Sequence, residues 1–134
     1  MGQQISMSNL EKLKEIFKDY PYIASVYLFG SHASGKVGPM SDLDIAILLK
    51  DDAPKGRELI HKMDYLAYRI EEALQAKEVD LIELNNQGLI FQYNVLRTGK
   101  LIYDADPLFR TNFVTRMTKA TLLLPSTKGL FLQR

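Results

Sequence analysis

The chain has 134 residues, 46% of them hydrophobic, which predicts a single domain with enough apolar material for a core. Seventeen Lys and Arg residues against sixteen Asp and Glu residues give a net charge of +1, so bulk charge does not predict direct binding of nucleic acid. The absence of cysteine excludes disulfides, thiolate metal sites and a cysteine nucleophile. The sequence lacks a secretory signal and an apolar run of the ~18 residues that span a bilayer, so we expect a cytoplasmic protein that does not bind membranes.

Apolar periodicity predicts four helices and four strands. In chain order these are a helix over 8–18 capped by Ser8, a strand over 23–29, a Gly/Ser/Pro loop over 30–41, a strand over 42–49, an amphipathic helix over 57–76, a strand over 79–84, a helix over 89–96, a strand over 100–103, and a helix from Pro107 to about Ala120. The expected fold class is α/β (α+β), with a mixed central sheet of about three to four strands flanked by helices. We assign residues 1–120 to this domain and residues 121–134 to a C-terminal tail of uncertain structure.

The outer side of the long helix over 57–76 is predicted to be solvated, and Arg69 and Glu71 are among the charged residues on it. Tyr65 and Tyr68 flank the apolar stripe of the same helix. Aromatic side chains in such positions are usually partly buried, so we expect this of both tyrosines.

The loop after the first strand fits two types of phosphate site. Gly30 to Lys36 satisfies the spacing GxxxxGK of a P-loop. The next residue of a P-loop supplies a hydroxyl to Mg²⁺, but here it is Val37, which has no oxygen. A P-loop lysine also opens a helix, whereas Gly38, Pro39 and a strand follow here. These missing parts disfavour the P-loop.

The second interpretation starts from two carboxylates at the beginning of a strand. Asp42 and Asp44 are two residues apart, so alternation along a strand places them on the same face. Asp80 lies one residue into the third predicted strand and completes a three-carboxylate cluster if that strand neighbours the second. Hard divalent cations prefer oxygen ligands, and a cluster of this kind suits a two-metal site for phosphoryl transfer.

Gly30 and Ser31 complement this cluster at the end of the first strand. Glycine permits a tight turn there, and Ser31 offers a hydroxyl and a backbone N–H to a phosphate oxygen. Donors for phosphate and acceptors for metal would then face one crevice.

The spacing Gly30-Ser31, ten residues, then Asp42-Leu43-Asp44 resembles the GS-x10-DxD signature of the DNA polymerase β-like nucleotidyltransferase superfamily. Within it the chain is most similar to the small single-domain minimal nucleotidyltransferases, which include the MNT antitoxins of HEPN/MNT toxin–antitoxin pairs. The stretch from Arg97 to Tyr103 also resembles the family's R-x-G-x-x-x-Y segment. The resemblance covers about residues 8 to 120.

This resemblance implies a Mg²⁺-dependent nucleotidyltransferase that transfers a nucleoside monophosphate, AMP from ATP, to a hydroxyl and releases pyrophosphate. Asp42 and Asp44 would bind Mg²⁺, as two ions, and Asp80 would complete the metal site and help to deprotonate the acceptor. Gly30 and Ser31 would hold the triphosphate.

The resemblance also implies a protein acceptor, a HEPN-type toxin, and we expect that such a partner or a homodimer completes the site. The alternative is a non-catalytic antitoxin or regulatory module that occludes its partner and keeps a vestigial pocket. All three candidate carboxylates are present, which favours an active enzyme, because a cluster of acids without a ligand destabilises a fold by like-charge repulsion.

Overall fold

The computed structural model describes residues 5–30 and 43–124. Its elements in chain order are α1 (Met7–Phe17), β1 (Ile23–Phe29), β2 (Leu43–Leu49), α2 (Gly56–Leu74), β3 (Val79–Glu83), a 3₁₀ turn (Leu84–Asn86), α3 (Leu89–Thr98), β4 (Lys100–Asp104) and α4 (Pro107–Leu122). This order confirms the predicted fold class and the predicted succession of helices and strands.

The sheet is mixed, with the strand order β3-β2-β1-β4. Strand β1 pairs antiparallel with both β2 and β4, whereas β2 and β3 are parallel. Parallel neighbours need a crossover connection, and α2 supplies it between β2 and β3. The carboxyl end of β1 therefore lies at the same edge of the sheet as the first residues of β2 and β3.

Helices cover both faces of the sheet and make two apolar layers. Helices α1 and α2 pack on one face in a cluster that includes Phe17, Ile45 and Ile70. Helices α3 and α4 pack on the other, where Val95 and Phe113 belong to a second cluster. All of β2 except Asp44 is buried, so the predicted burial of this strand on both faces is confirmed.

The start of α1 differs from the prediction, because Ser6 rather than Ser8 is the N-cap. The Ser6 hydroxyl accepts a hydrogen bond from the backbone N–H of Asn9 at 3.0 Å. Both serines suit a capping position, but a cap at Ser6 places Ile5 just before the helix and Leu10 in its first turn. Both of these apolar side chains pack against the core, in the sequence positions of a hydrophobic staple.

The predicted surroundings of the tyrosines on α2 are wrong. Tyr65 is 60% exposed and Tyr68 is 54% exposed, and their rings stack with centroids 6.2 Å apart. The apolar stripe of α2 itself packs against the core, with Leu66 and Ile70 fully buried, and the two tyrosines lie outside it.

Two charged residues of α2 that were predicted to be solvated instead join neighbouring elements. Arg69 donates to the carboxylate of Asp19 at 2.9 Å, and hydrogen bonds to Tyr20 and Asp19 raise the pKa of the guanidinium. Glu71 accepts from the backbone N–H of Val79 at 3.0 Å. These contacts fix the end of α1 and the start of β3 against α2.

Gly99 joins α3 to β4 where two backbone segments approach closely. A Cβ atom at this position would lie 2.6 Å from the carbonyl oxygen of Val95 and 3.2 Å from that of Leu28. Real Cβ atoms do not come within 3.0 Å of a backbone oxygen, so a side chain here would displace the last turn of α3. Glycine lets α3 end directly against the edge of the sheet where β1 ends.

The last helix begins as predicted, with Asp106 as N-cap and Pro107 in the first turn. The Asp106 carboxylate accepts from the N–H of Phe109 at 3.0 Å. Helix α4 continues to Leu122, and residues 125–134 of the predicted tail lie outside the described residues, so the domain boundary stays a prediction. Within residues 5–30 and 43–124, none of the helices combines the length and the apolarity needed to cross a bilayer.

Candidate active site

A row of three side chains crosses the sheet where β1 ends and β2 and β3 begin. Asp44 is the register partner of Phe29 on β1 and of Asp80 on β3. Directly paired residues point to the same face of a sheet, so the three side chains form one row. The row lies on the face of the sheet that α3 and α4 cover, because Phe29 packs into the apolar cluster there. Ile82 packs into the same cluster, and it shares a face with Asp80 because the two residues are two positions apart on β3.

The condition for bringing Asp80 to Asp44 is therefore met, because β3 neighbours β2. Adjacent strands are about 4.8 Å apart, so the two carboxylates start from neighbouring backbone positions. Asp44 is half-buried in the middle of the sheet, and Asp80 is exposed on an edge strand. Like charges this close repel each other, and a cation between them removes that penalty.

The donor set of this pair fits a divalent metal. Carboxylate oxygens are the ligands that Mg²⁺ prefers, and two of them from neighbouring strands converge at one edge. The part of the chain that the structure describes contains no group of three or more His, Cys, Asp or Glu residues suited to hold a metal ion. The third predicted carboxylate, Asp42, lies outside the described residues.

Gly30 follows the last residue of β1 and is buried at the same edge of the sheet. Ser31, the other predicted phosphate-binding residue, lies outside the described residues, as does the loop up to Asp42. The structure thus brings together Gly30, Asp44 and Asp80, and the roles of all five predicted site residues stay predictions.

Helix α3 borders the row, and sequence reasoning did not connect it to the site. The ring of Phe91 on α3 meets the ring of Phe29 edge to face, with centroids 5.7 Å apart and planes at 90°. Phe91 is 37% exposed. The sequence signal that was available is a pair of phenylalanines, one next to Gly30 and one in a short helix, but nothing in the spacing predicts their contact.

The helix is fixed by a buried amide, also missed from the sequence. The Gln92 side chain is 6% exposed and donates to the carbonyl of Leu84 at 2.9 Å and to that of Asn85 at 3.3 Å. Asn85 in turn bonds both ways with the backbone of Leu49, accepting from its N–H and donating to its carbonyl at 2.8 Å each. The position of α3 is thereby tied to β2. The cluster Asn85-Asn86-Gln87 after a strand was the available signal.

The family model described as polymerase beta, nucleotidyltransferase, matches residues 11–108 of the chain. This span includes both described carboxylates, Gly30 and the whole sheet. The chain belongs to this nucleotidyltransferase family. The resemblance inferred from the GS-x10-DxD spacing is thus confirmed.

Two curated relatives carry the same name, protein adenylyltransferase MntA. The protein from Aphanizomenon flos-aquae is 31% identical over 90 residues, which cover 63% of this chain and 59% of that protein. The protein from Shewanella oneidensis is 29% identical over 111 residues, covering 80% of this chain and 76% of that protein. The match thus spans about three fifths of the first relative's length and about three quarters of the second's.

Solved structures share the fold. A toxin–antitoxin structure with AMP-PNP superposes with a TM-score of 0.66 at 23% identity, covering 93% of this chain and 96% of that one. A complex of tri-AMPylated Shewanella oneidensis HEPN toxin with MNT antitoxin gives a TM-score of 0.67 at 21% identity, covering 96% and 97%. At these identities the likeness establishes the fold of the nucleotidyltransferase domain.

Proposed function

We propose that this chain is a protein adenylyltransferase that transfers AMP from ATP to a hydroxyl of a partner protein and releases pyrophosphate. The observation that supports this most is the in-register pair Asp44 and Asp80 at one edge of a nucleotidyltransferase sheet. The shared name of the two curated relatives gives the same reaction class.

The proposed roles follow the order of the residues around this edge. Asp42, Asp44 and Asp80 would hold Mg²⁺, as two ions, and Gly30 and Ser31 would hold the triphosphate through backbone N–H groups and a hydroxyl. Bound Mg²⁺ would supply positive charge against the phosphate oxygens as negative charge develops on them. Asp80 is the exposed carboxylate of the described pair, so it is the one that an acceptor from solvent can reach.

The transfer itself is a substitution at the α-phosphorus of ATP. The acceptor oxygen forms a bond to that phosphorus while the bond to the oxygen bridging to the β-phosphorus breaks, and pyrophosphate leaves with the electron pair. The hydroxyl proton passes to a base, a role that we propose for Asp80 because a carboxylate within reach of the hydroxyl can accept it.

The acceptor that we propose is a HEPN-type protein, bound so that its hydroxyl reaches the carboxylate edge. The Shewanella complex contains such a toxin carrying AMP groups together with an MNT antitoxin. The present chain matches a chain of that structure over 96% of its own length and 97% of that chain. A small domain whose site lies at the edge of a four-stranded sheet offers little enclosing surface, so the partner or a second copy of this chain would complete the site.

ATP labelled separately at the α- and γ-phosphates tests this reaction. Incubation with Mg²⁺ and a HEPN-type protein should transfer the α-label and leave the γ-label in pyrophosphate. Asp44→Asn should reduce the transfer by 10²-fold or more, the size of effect that follows loss of one group aligned with developing charge. Asp52→Asn is the matched control, because Asp52 is exposed in the turn after β2, at the far end of the strand.

Transfer of the γ-label would identify a phosphoryl transferase and contradict the proposal. A wild-type protein that binds and silences its partner without transferring any label would favour the non-catalytic antitoxin instead. Equal activity of Asp44→Asn and Asp52→Asn would remove Asp44 from the catalytic site.

A further inference from the structure

An aromatic pair lies beside the two carboxylates and has no part in the roles given above. Phe29 is in register with Asp44, and its ring meets that of Phe91 at 5.7 Å between centroids. The Phe91 side chain is 37% exposed, although complete burial of a phenylalanine would stabilise the folded protein more. An exposed aromatic ring next to charged groups at a ligand site suggests a contact with the ligand.

The position of Phe91 is fixed by the residue that follows it. Gln92 is buried and bonds to two carbonyl oxygens, those of Leu84 and Asn85. At the other end of the helix, Gly99 has no side chain to clash with the carbonyl oxygens of Val95 and Leu28, so α3 can end close to β1. Helix α3 is held at both ends, so the ring of Phe91 is presented from a rigid element, as a specific contact requires.

The separation of the ring from the carboxylates suits a nucleotide. One strand spacing of about 4.8 Å lies between Asp44 and Phe29, and one ring contact lies between Phe29 and Phe91. The Phe91 ring is therefore two contacts away from Asp44, one between paired strands and one between rings. A ribose joined to the α-phosphate bridges a gap of this kind between metal-bound phosphates and a base.

The tyrosine pair on α2 is more exposed than Phe91 but does not lie on the face of the sheet that carries the two carboxylates. Tyr65 and Tyr68 stack on each other on a helix that packs against the opposite face of the sheet. The row of Phe29, Asp44 and Asp80 is on the face of α3. Among residues 5–30 and 43–124, Phe91 is thus the exposed aromatic side chain that shares a face with both carboxylates.

We propose that Phe91 stacks against the base of the bound nucleotide and determines its affinity. This inference rests on the proposed function, since it takes the carboxylate edge as the place where the triphosphate binds. Stacking on an aromatic ring contributes binding energy for any base, so Phe91 would strengthen nucleotide binding in general and select a nucleotide over a bare polyphosphate.

Calorimetric titration with two ligands separates the base from the phosphates. In the presence of Mg²⁺, Phe91→Ala should weaken the binding of ATP about tenfold, the loss typical of one aromatic stacking partner, and leave the binding of inorganic tripolyphosphate unchanged. Ile90→Ala is the matched control, because Ile90 is the preceding residue and is 38% exposed but has no ring. It should leave both affinities as in the wild type.

Two further variants guard against a change in folding. Phe91→Leu keeps an apolar contact for Phe29 and should weaken the binding of ATP as much as Phe91→Ala does. Phe91→Tyr keeps the ring and should bind ATP like the wild type. Unchanged ATP binding by Phe91→Ala would overturn the stacking contact and leave the proposed function standing. If Phe91→Ala weakened the binding of ATP and of tripolyphosphate equally, Phe91 would have a purely structural role, and the stacking contact would also be overturned. A wild-type protein that binds neither ligand would contradict the proposed function and the stacking contact together.

Discussion

Strands β2 and β3 arrange polar groups in opposite ways at their two ends. Where the strands begin, Asp44 and Asp80 are register partners, so one carboxylate lies beside another. Where they end, polar groups meet complementary partners within the protein, as in the two hydrogen bonds of 2.8 Å between Asn85 and the backbone of Leu49. Lys50, the next residue, lies 3.9 Å from the carboxylate of Asp106.

The contrast distinguishes polar groups that stabilise the fold from polar groups that bind a ligand. An amide that satisfies a backbone N–H and a carbonyl contributes to the stability of the fold. Two carboxylates placed side by side repel each other, and a cation between them offsets that repulsion. Asp44 and Asp80 place two carboxylates, the ligands that a divalent cation prefers, at neighbouring positions, which is why we assign the ligand to their end of the strands.

Metal-dependent stability should show this difference most strongly. We expect saturating Mg²⁺ to stabilise the wild-type protein by up to about 2.7 kcal/mol, the gain for a ligand at a hundred times its dissociation constant. The variant Asp44→Asn/Asp80→Asn should gain nothing from Mg²⁺.

Chemical unfolding with and without Mg²⁺ measures both effects. The double variant Asp51→Asn/Asp52→Asn is the control, because it removes the same number of carboxylates from the turn at the other end of β2. Metal-induced stabilisation that persists in Asp44→Asn/Asp80→Asn would place the cation elsewhere in the molecule.

At the opposite end, loss of the Asn85 side chain should lower stability independently of any ligand. Asn85→Ala removes two hydrogen bonds from the backbone of Leu49, which is 3% exposed and has little access to water. A buried polar group left without its partner costs about 1–3 kcal/mol, so we expect a loss of that size in the free energy of unfolding.

Asn86→Ala serves as the comparison for Asn85→Ala in urea unfolding. Asn86 is exposed and its side chain donates to the neighbouring Glu83 carboxylate at 2.9 Å. Its removal should change the free energy of unfolding by less than about 0.5 kcal/mol. Similar losses in both variants would mean that the bonds of Asn85 to Leu49 contribute little.

We call the end of β2 and β3 with Asp44 and Asp80 the carboxylate end and the opposite end, with Asn85, the amide end. The sequence predicted the carboxylate end better than the amide end. Asp44 was found from its spacing to Gly30 and Asp42, because the chemistry of metal and phosphate binding demands particular residue types close together in the chain. Its pairing with Asp80 was predicted only on the condition that β3 neighbours β2. Strand order depends on how helix α2 crosses over, and that is a property of the whole sheet.

Contacts between distant segments account for what sequence reasoning missed. Strand bounds followed from runs of β-branched and aromatic residues, which occur within a few positions of each other. The partners of Gln92 and Phe91 belong to other elements, and nothing in the local pattern of α3 names them. On α2, periodicity located the buried stripe. It did not predict the hydrogen bond of Arg69 to Asp19, because that partner lies just after α1, a different element.

The smallest effect is expected for Lys50, also at the amide end. Its ammonium group lies 3.9 Å from the Asp106 carboxylate, and the two side chains are 31% and 34% exposed. Ion pairs of this kind in contact with water contribute less than about 1 kcal/mol and are screened by salt. Lys50→Met should therefore lower the free energy of unfolding slightly at low ionic strength and hardly at all in 1 M salt, where the Debye length is about 3 Å.

The salt dependence of this variant distinguishes an ion pair from a packing contact. Thermal unfolding of Lys50→Met and wild type at low and high salt gives the comparison, with Lys119→Met, an exposed lysine near the end of α4, as the control. A loss that stays the same in 1 M salt would mean that the aliphatic stem of Lys50, and not its charge, stabilises this end of the sheet. In either case Lys50 acts within the fold, unlike the paired carboxylates at the other end, whose charge is predicted to be compensated by a ligand.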